Sequence, residues 1–471
     1  MIGIVRPALK MEKRFGSARA SLGLAAYHGS DPWYGDEPAW LNDSVLNGSV
    51  SPMTIESVNA ANGNRDELKG QEAAVAETPA SPPPSSRLGS IDAFRGMVMF
   101  LLMAEVFRFR DVSKAVPESK IWEFLAHHQS HVEWTGCALH DLIQPSFSFL
   151  VGVALPFSIA ARLAKGQSKA LMTAHAFWRA LVLVFLGVFL RSINRSQTNF
   201  TFEDTLSQIG LGYGFLFLLA LRPPRVQWIA FGAILVGYWA LFALYPVPAS
   251  FDYQAVGVPK DWPYFSEGFG AHWNKNSNPA WRFDTWFLNI FPREKPFLYN
   301  GGNYATISFI PTLATMILGL LAGNLLRSDR PGWTKAGLLF AGGLIGLTTG
   351  WGLDTLGICP VVKKIWTPSW VLFSGGWALL FLAFFHAVVD LLKLKAPFFP
   401  LIVIGANSIA AYCLTETMRG FIGANLKTHL GADAFKIFGP AYEPLVMGGA
   451  IVLVMWLILF WMYRRKIFLK V

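Results

Sequence analysis

Charge is the first thing this chain has little of. Only 15% of its 471 residues are Asp, Glu, Lys or Arg, against 53% hydrophobic and 14% aromatic residues, where an ordinary soluble domain carries about 25% charged residues. That balance excludes a water-soluble globular protein of the usual kind. Cysteine is scarce too: Cys137, Cys359 and Cys413 show no CxxC or Cys/His metal spacing, so neither a disulfide framework nor a zinc module is expected. Three thiols cannot all pair, and a Cys137–Cys359 bridge is the one pairing left open. The GxxxxGK[ST], HExxH, GxSxG and GxGxxG patterns are all missing. ATP-driven transport, zinc proteolysis, ordinary serine hydrolysis and dinucleotide chemistry therefore have no support, and no metal site is expected. A net charge of +10 could suggest nucleic acid, but the basic residues sit in short clusters between apolar runs, where membrane topology accounts for them.

What the chain has in abundance is apolar runs. Residues 1–86, rich in Asn, Ser, Gly, Glu and Pro and ending in "ETPASPPPSSR", hold no run of spanning length and read as a disordered extension. No convincing signal peptide is present there, so the first spanning helix is expected to direct insertion. Beyond Arg87, ten apolar segments approach the roughly twenty residues needed to cross about 30 Å of hydrocarbon. They fall near 90–107, 139–161, 174–191, 206–221, 226–245, 304–326, 334–350, 368–390, 399–418 and 444–463. Lipid forces such segments into helices, because no alternating barrel pattern exists. The expected fold is all-α, a polytopic membrane bundle of about 10 to 11 transmembrane helices. Arg162, Lys165 and Lys169, Arg222 and Arg225, Arg327, Arg330 and Lys335, Lys393 and Lys395, and the tail Arg464, Arg465 and Lys466 then share one side. The positive-inside rule makes that side, with both termini, cytoplasmic.

Titratable residues crowd the mouth of the second segment, in "HVEWTGCALHDLIQPSFSFLVGV", which opens with His131, Glu133, His140 and Asp141. Asp141 in a first helical turn suits the helix dipole. It also lies near enough to orient the imidazole of His131, and an oriented neutral imidazole can abstract a proton. In "RLGSIDAFRGMVMF", Asp92 and Arg95 are three apart on one helical face, so Arg95 can hold an anion at the cytoplasmic mouth with its rotamer fixed by Asp92. Asn407 interrupts an apolar run, where an amide needs partners or a wet cavity. Gly319 and Gly323 suit close helix packing. The stretch "AHWNKNSNPAWRFDTWFLNIF", residues 271–291, sets Trp273, Trp281 and Trp286 among Asn274, Asn278, Arg282, Asp284 and Asn289. An aromatic belt accounts for the tryptophans, and aromatic faces beside amides and carboxylates are also what a sugar ring requires.

Four blocks in order, "RLGSIDAFRGMVMF", "HVEWTGCALHDLIQPSFSFLVGV", "KKIWTPSWVLFSGGWALL" and "PFFPLIVIGANSIAAY", resemble the heparan-α-glucosaminide N-acetyltransferase family and its bacterial relatives. The resemblance runs from about Arg87 to the last helix and makes residues 87–471 a transmembrane acyltransferase domain. It implies a protein that takes acetyl-CoA on the cytoplasmic side and acetylates an amino sugar on the other; a bacterial inner membrane is the expected location, with a lysosome-like organelle left open. The family's reactive histidine, ahead of Trp-x-Gly, falls on His131 before Trp134 and Gly136, and the family's Asp falls on Asp141. Members carry an Asn near the exit of the first helix; this chain reads "LLMAEVFRF", leaving Glu105 to substitute. Acceptor contacts are expected from Trp134, Glu105, Asn407, Trp281 and Asp284, with Asn407 also a candidate for the oxyanion, and donor contacts from Asp92, Arg95 and Arg162. Glu133 is an alternative to Asp141 as the group that holds the tautomer. The partners implied are the bilayer, acetyl-CoA and the amino sugar, with a homodimer left open and no nucleic acid. The competing class is an amino-sugar transporter, which would take up glucosamine without acetyl-CoA.

Overall fold

The structure, a computed structural model, describes residues 88–247 and 250–469; the expected extension at 1–86 lies outside the described residues. Fourteen α-helices carry the described chain. They are α1 Gly89–Met103, α2 Phe109–Ala115, α3 Lys120–His128, α4 Ile143–Leu163, α5 Lys169–Ser192, α6 Thr205–Ala220 and α7 Pro224–Ala243, followed by α8 Pro279–Phe287, α9 Phe309–Arg327, α10 Gly332–Thr355, α11 Pro368–Phe385, α12 Phe399–Ala406, α13 Ser408–Leu430 and α14 Glu443–Arg464. Among the described residues, extended pairing is limited to one isolated antiparallel bridge, Thr135 with Val362.

The all-helical expectation holds, and the expected count of 10 to 11 membrane helices is not confirmed. Among the described residues, seven helices are long and apolar enough to cross a membrane, or eight if α12 and α13 form one span broken by an 83° bend. The difference is one of length. At 1.5 Å per residue, α1 and α6 reach roughly 22–24 Å, short of the hydrocarbon thickness.

Local chemistry sets where the helices begin. Asp204 caps α6 by accepting from the amides of Leu206 and Ser207. Thr367 caps α11 by accepting from Trp370 N, with Pro368 in the first turn. Burial then sorts the spans into two shells: about two thirds or more of the apolar window is buried for α4 and α9 and over half for α11, against 22% for α5, α7, α10 and α14. The inner helices meet through glycine. A Cβ on Gly319 of α9 would stand 2.0 Å from the carbonyl oxygen of Phe149, and one on Gly96 of α1 only 1.8 Å from that of Leu401 in α12, so these backbones touch directly.

At the end of the bundle where α1 finishes, the connections before α8 and α11 fold into a second apolar cluster. Trp134, Tyr238, Phe242, Trp262, Trp273, Val362 and Ile365 are among its buried members. This cluster supports the loop that carries His131.

Candidate active site

The loop between α3 and α4 is built around one carboxylate. Asp141 is 1% exposed, and its Oδ2 accepts from the amides of Val132 (3.2 Å) and Ala138 (3.0 Å). Its Oδ1 faces His131 Nδ1 at 2.8 Å and Lys363 Nζ at 3.3 Å. Four donors converge on two oxygens, which is how a buried charge is tolerated. Lys363, with 5% of its side chain exposed, is the compensating cation.

Lys363 arrives from 232 positions downstream through the Thr135–Val362 bridge, reinforced by Gly136 N donating to Val361 O at 3.1 Å. Gly136 has φ +105°, a backbone state that side-chain-bearing residues avoid. The loop before α11 is itself pinned, because Thr367 Oγ1 accepts from Val362 N and donates to Pro360 O. Thus the turn "PVVKKIWT" presents Lys363 from a fixed frame.

The tautomer of His131 follows from these contacts. Lys363 Nζ also lies 3.1 Å from Nδ1, but a bare Nδ1 lone pair opposite the Asp141 oxygen at 2.8 Å would be repulsive. The proton therefore sits on Nδ1, donated to Asp141, and Lys363 directs its hydrogens to the carboxylate. Nε2 keeps its lone pair. The ring is lowered into a crowded recess with 44% of its side chain still accessible. Desolvation there, followed by the positive charge of Lys363, depresses its pKa to about 4 against the opposing pull of Asp141. At neutral pH the imidazole is an uncharged base.

A second dyad stands beside the first. The His140 ring lies 4.6 Å from that of His131, with Nε2 3.1 Å from Glu105 Oε1, and Glu105 Oε2 meets Arg419 Nη1 at 3.2 Å. Glu105 follows α1 in a 3₁₀ turn. Gln129 ties that turn to the His131 loop by donating to Ala104 O while accepting from Phe109 N.

The structure thus brings together His131, Asp141 and Glu105 among the residues singled out from sequence. It does not bring Trp134, Asn407, Trp281 or Asp284 into contact with them. Trp134 is 2% exposed and packs edge-on against Trp262, whose Nε1 donates to Glu133 at 2.9 Å; Trp134 is a packing residue and Glu133 is engaged away from the imidazole. Asn407 occupies the break between α12 and α13, donating to Ile467 O and accepting from Leu469 N, so its amide holds the tail rather than an oxyanion. Trp281 Nε1 donates to Leu298 O. Asp284 is buried on α8, where it accepts from Thr306 N and burial raises its pKa to about 7. All three cysteines are free, so no Cys137–Cys359 bridge forms. Burial pushes the Cys137 thiol up to about 12.

Sequence reading missed Lys363, His140 as a partner of Glu105, and Arg419. Lys363 opens one of the four blocks that carry the resemblance, and His140 stands in the titratable stretch at the mouth of the second segment. Arg419 carries no local signal.

At the opposite end of α1, a cavity of about 600 Å³ is lined by Gly89, Asp92, Lys395, Ala396, Phe399, Ile402 and Tyr463. Asp92 contacts Arg95 at 3.3 Å. Arg162 is elsewhere, in a small recess with His175, Arg179 and Tyr213. Between Asp92 and Glu105 the helix rises roughly 20 Å.

These features define a helical membrane protein with an oriented, uncharged imidazole at one end of its bundle and a cavity flanked by cationic residues at the other. The chain is similar to heparan-alpha-glucosaminide N-acetyltransferase of Homo sapiens, at 23% identity over 480 residues that cover 92% of this chain and 66% of the human protein. It is 23% identical to the Mus musculus protein of the same name over 430 residues, 82% of this chain and 61% of the relative. The similarity is distant but extends over most of the chain, and it supports the family resemblance carried by the four sequence blocks. The chain spans less than two thirds of the length of these relatives. No protein-family profile matches it.

Proposed function

We propose that the chain is a transmembrane N-acetyltransferase that moves an acetyl group from acetyl-CoA, bound at the cavity beside Asp92 and Lys395, to an amino sugar at His131 on the other face. The observation that carries this reading is the Asp141–His131–Lys363 cluster, which commits Nδ1 to Asp141 while 44% of the His131 side chain stays accessible. The relatives' name supports the reaction class.

The physics suits the task. The phosphates of coenzyme A resist entering hydrocarbon, whereas its pantetheine arm is thin and nearly uncharged. Lys395 and Arg95 supply positive charge near the cavity, and Phe399 and Tyr463 offer aromatic surface to a base. The short basic turns lie at that end of the helices, which makes it the cytoplasmic face by the positive-inside rule. Arg162 on the same face is a more distant donor contact. Glu105, partly accessible beside His131, is the acceptor-side carboxylate.

In the transfer, the sugar nitrogen bonds to the thioester carbonyl carbon, the C–S bond breaks, and Nε2 of His131 takes a proton from the nitrogen and returns it to the departing sulfur. In the variant with a covalent intermediate, Nε2 itself attacks the carbonyl first and passes the acetyl group on. Purified protein given acetyl-CoA and a panel of amino sugars should release free thiol and acetylated product in equal amounts, and His131→Ala should lower the rate by at least about 100-fold while leaving the protein folded. Near-normal turnover in that variant, or glucosamine uptake into vesicles without donor as the main activity, would overturn the reading.

A further inference from the structure

The established needs of the chemistry exceed what one imidazole can supply. An amino-sugar amine is largely protonated near neutrality, and acetyl transfer from a thioester to that ammonium gives an amide, a thiol and one free proton. Two protons leave the nitrogen. One ends on sulfur, and the other must depart before attack, because an ammonium has no lone pair. His131 has Nδ1 committed to Asp141 and so can carry only one proton at a time, on Nε2.

The structure places a second base within reach. His140 lies 4.6 Å from His131, ring to ring, with the planes 51° apart. Its Nε2 faces Glu105 Oε1 at 3.1 Å, so the same reasoning that fixes the first tautomer puts the hydrogen on Nε2 and the lone pair on Nδ1. Each imidazole has its own carboxylate, and each carboxylate its own cation: Lys363 for Asp141 and Arg419 for Glu105. The titratable and charged groups around His140 are therefore Glu105, paired with Arg419, on one side and the neutral His131, with Asp141 and Lys363 behind it, on the other. A structural histidine requires none of this duplication.

We infer that His140, oriented by Glu105, is the second base of the reaction: it accepts the proton the acceptor ammonium must lose before attack, while His131 carries the other proton from nitrogen to sulfur. The proton on His140 is then released to solvent past the partly accessible Glu105. This rests on the acetyl-transfer reading above.

The test is a pH series on full-length protein with acetyl-CoA and glucosamine, following thiol release. His140→Gln should lower kcat/KM for the acceptor by roughly 100-fold at pH 6.5. The deficit should shrink to about threefold at pH 9, where free amine is abundant and no base is needed to make it. Glu105→Gln, which keeps an acceptor oxygen for Nε2–H and protects against a folding failure, should show the same trend with a smaller amplitude. His131→Ala should be inactive at both pH values. A deficit equal at pH 6.5 and pH 9, or none at all, would overturn the second-base role while leaving acetyl transfer intact. Absence of donor-dependent thiol release by the unaltered protein would instead remove the reading on which it rests.

Discussion

Burial and Lys363 together set the basicity of His131, whereas Asp141 sets its direction. Burial first and the Lys363 charge second hold the ring at about 4, so it stays uncharged well below neutrality. Replacing Lys363 with Met removes one of the three depressing causes, burial, Lys363 and His140, and the pKa of His131 should rise toward its ordinary value near 6.5. The acid limb of the kcat/KM profile for the donor should then move to higher pH; an unmoved limb would deny Lys363 this role. The depression also has a stability sign. Between about pH 6.5 and 4 the unfolded ring takes a proton that the folded ring refuses, so this histidine costs nothing above pH 6.5 and weakens the fold as pH falls through that window. His131, Asp141 and Glu105 were legible in the sequence because each sits beside a helix boundary with its chemistry on display. Lys363 was not, since its meeting with Asp141 depends on a bridge between loops more than 200 positions apart, and no local periodicity encodes that. The burial of Trp134 against Trp262 was not legible either, because an aromatic beside a reactive group reads in sequence as readily as a ligand platform as a packing residue.

Among the helices, glycine decides what can pack. A Cβ at Gly319 would stand 2.0 Å from the Phe149 carbonyl, while one at Gly352 of α10 would meet nothing within 4 Å. Gly319→Val should therefore abolish the monodisperse peak in detergent size-exclusion chromatography, whereas Gly352→Val should elute like the parent protein. Overpacked cores lose about 1–3 kcal/mol when neighbours can shift, and a backbone carbonyl inside a helix has nowhere to go. The glycine face containing Gly319 and Gly323 was visible as spacing in the sequence. The bend at Asn407 was not, because an apolar run reads the same whether it is straight or broken.

Across the whole molecule, the two candidate sites lie at opposite ends of α1, and the proposed function assigns the donor to one and the acceptor to the other. Lys395 lines the cavity near Asp92 and lies far from His131. Lys395→Glu should raise KM for acetyl-CoA about tenfold or more with kcat changed less than threefold, by loss of uniform binding. An unchanged KM would move the nucleotide elsewhere. The alternation of short basic turns and long aromatic connections could be read directly from the chain. The helix count could not, because hydropathy marks apolar runs without revealing that two of them stop short and one is broken. Asn407 has a practical corollary. Its amide grips Ile467 and Leu469, so a stop codon just after Arg465 would strip both partners from a buried group at a helix break. Clipping there is a lesion of the interior rather than the trimming of a loose end.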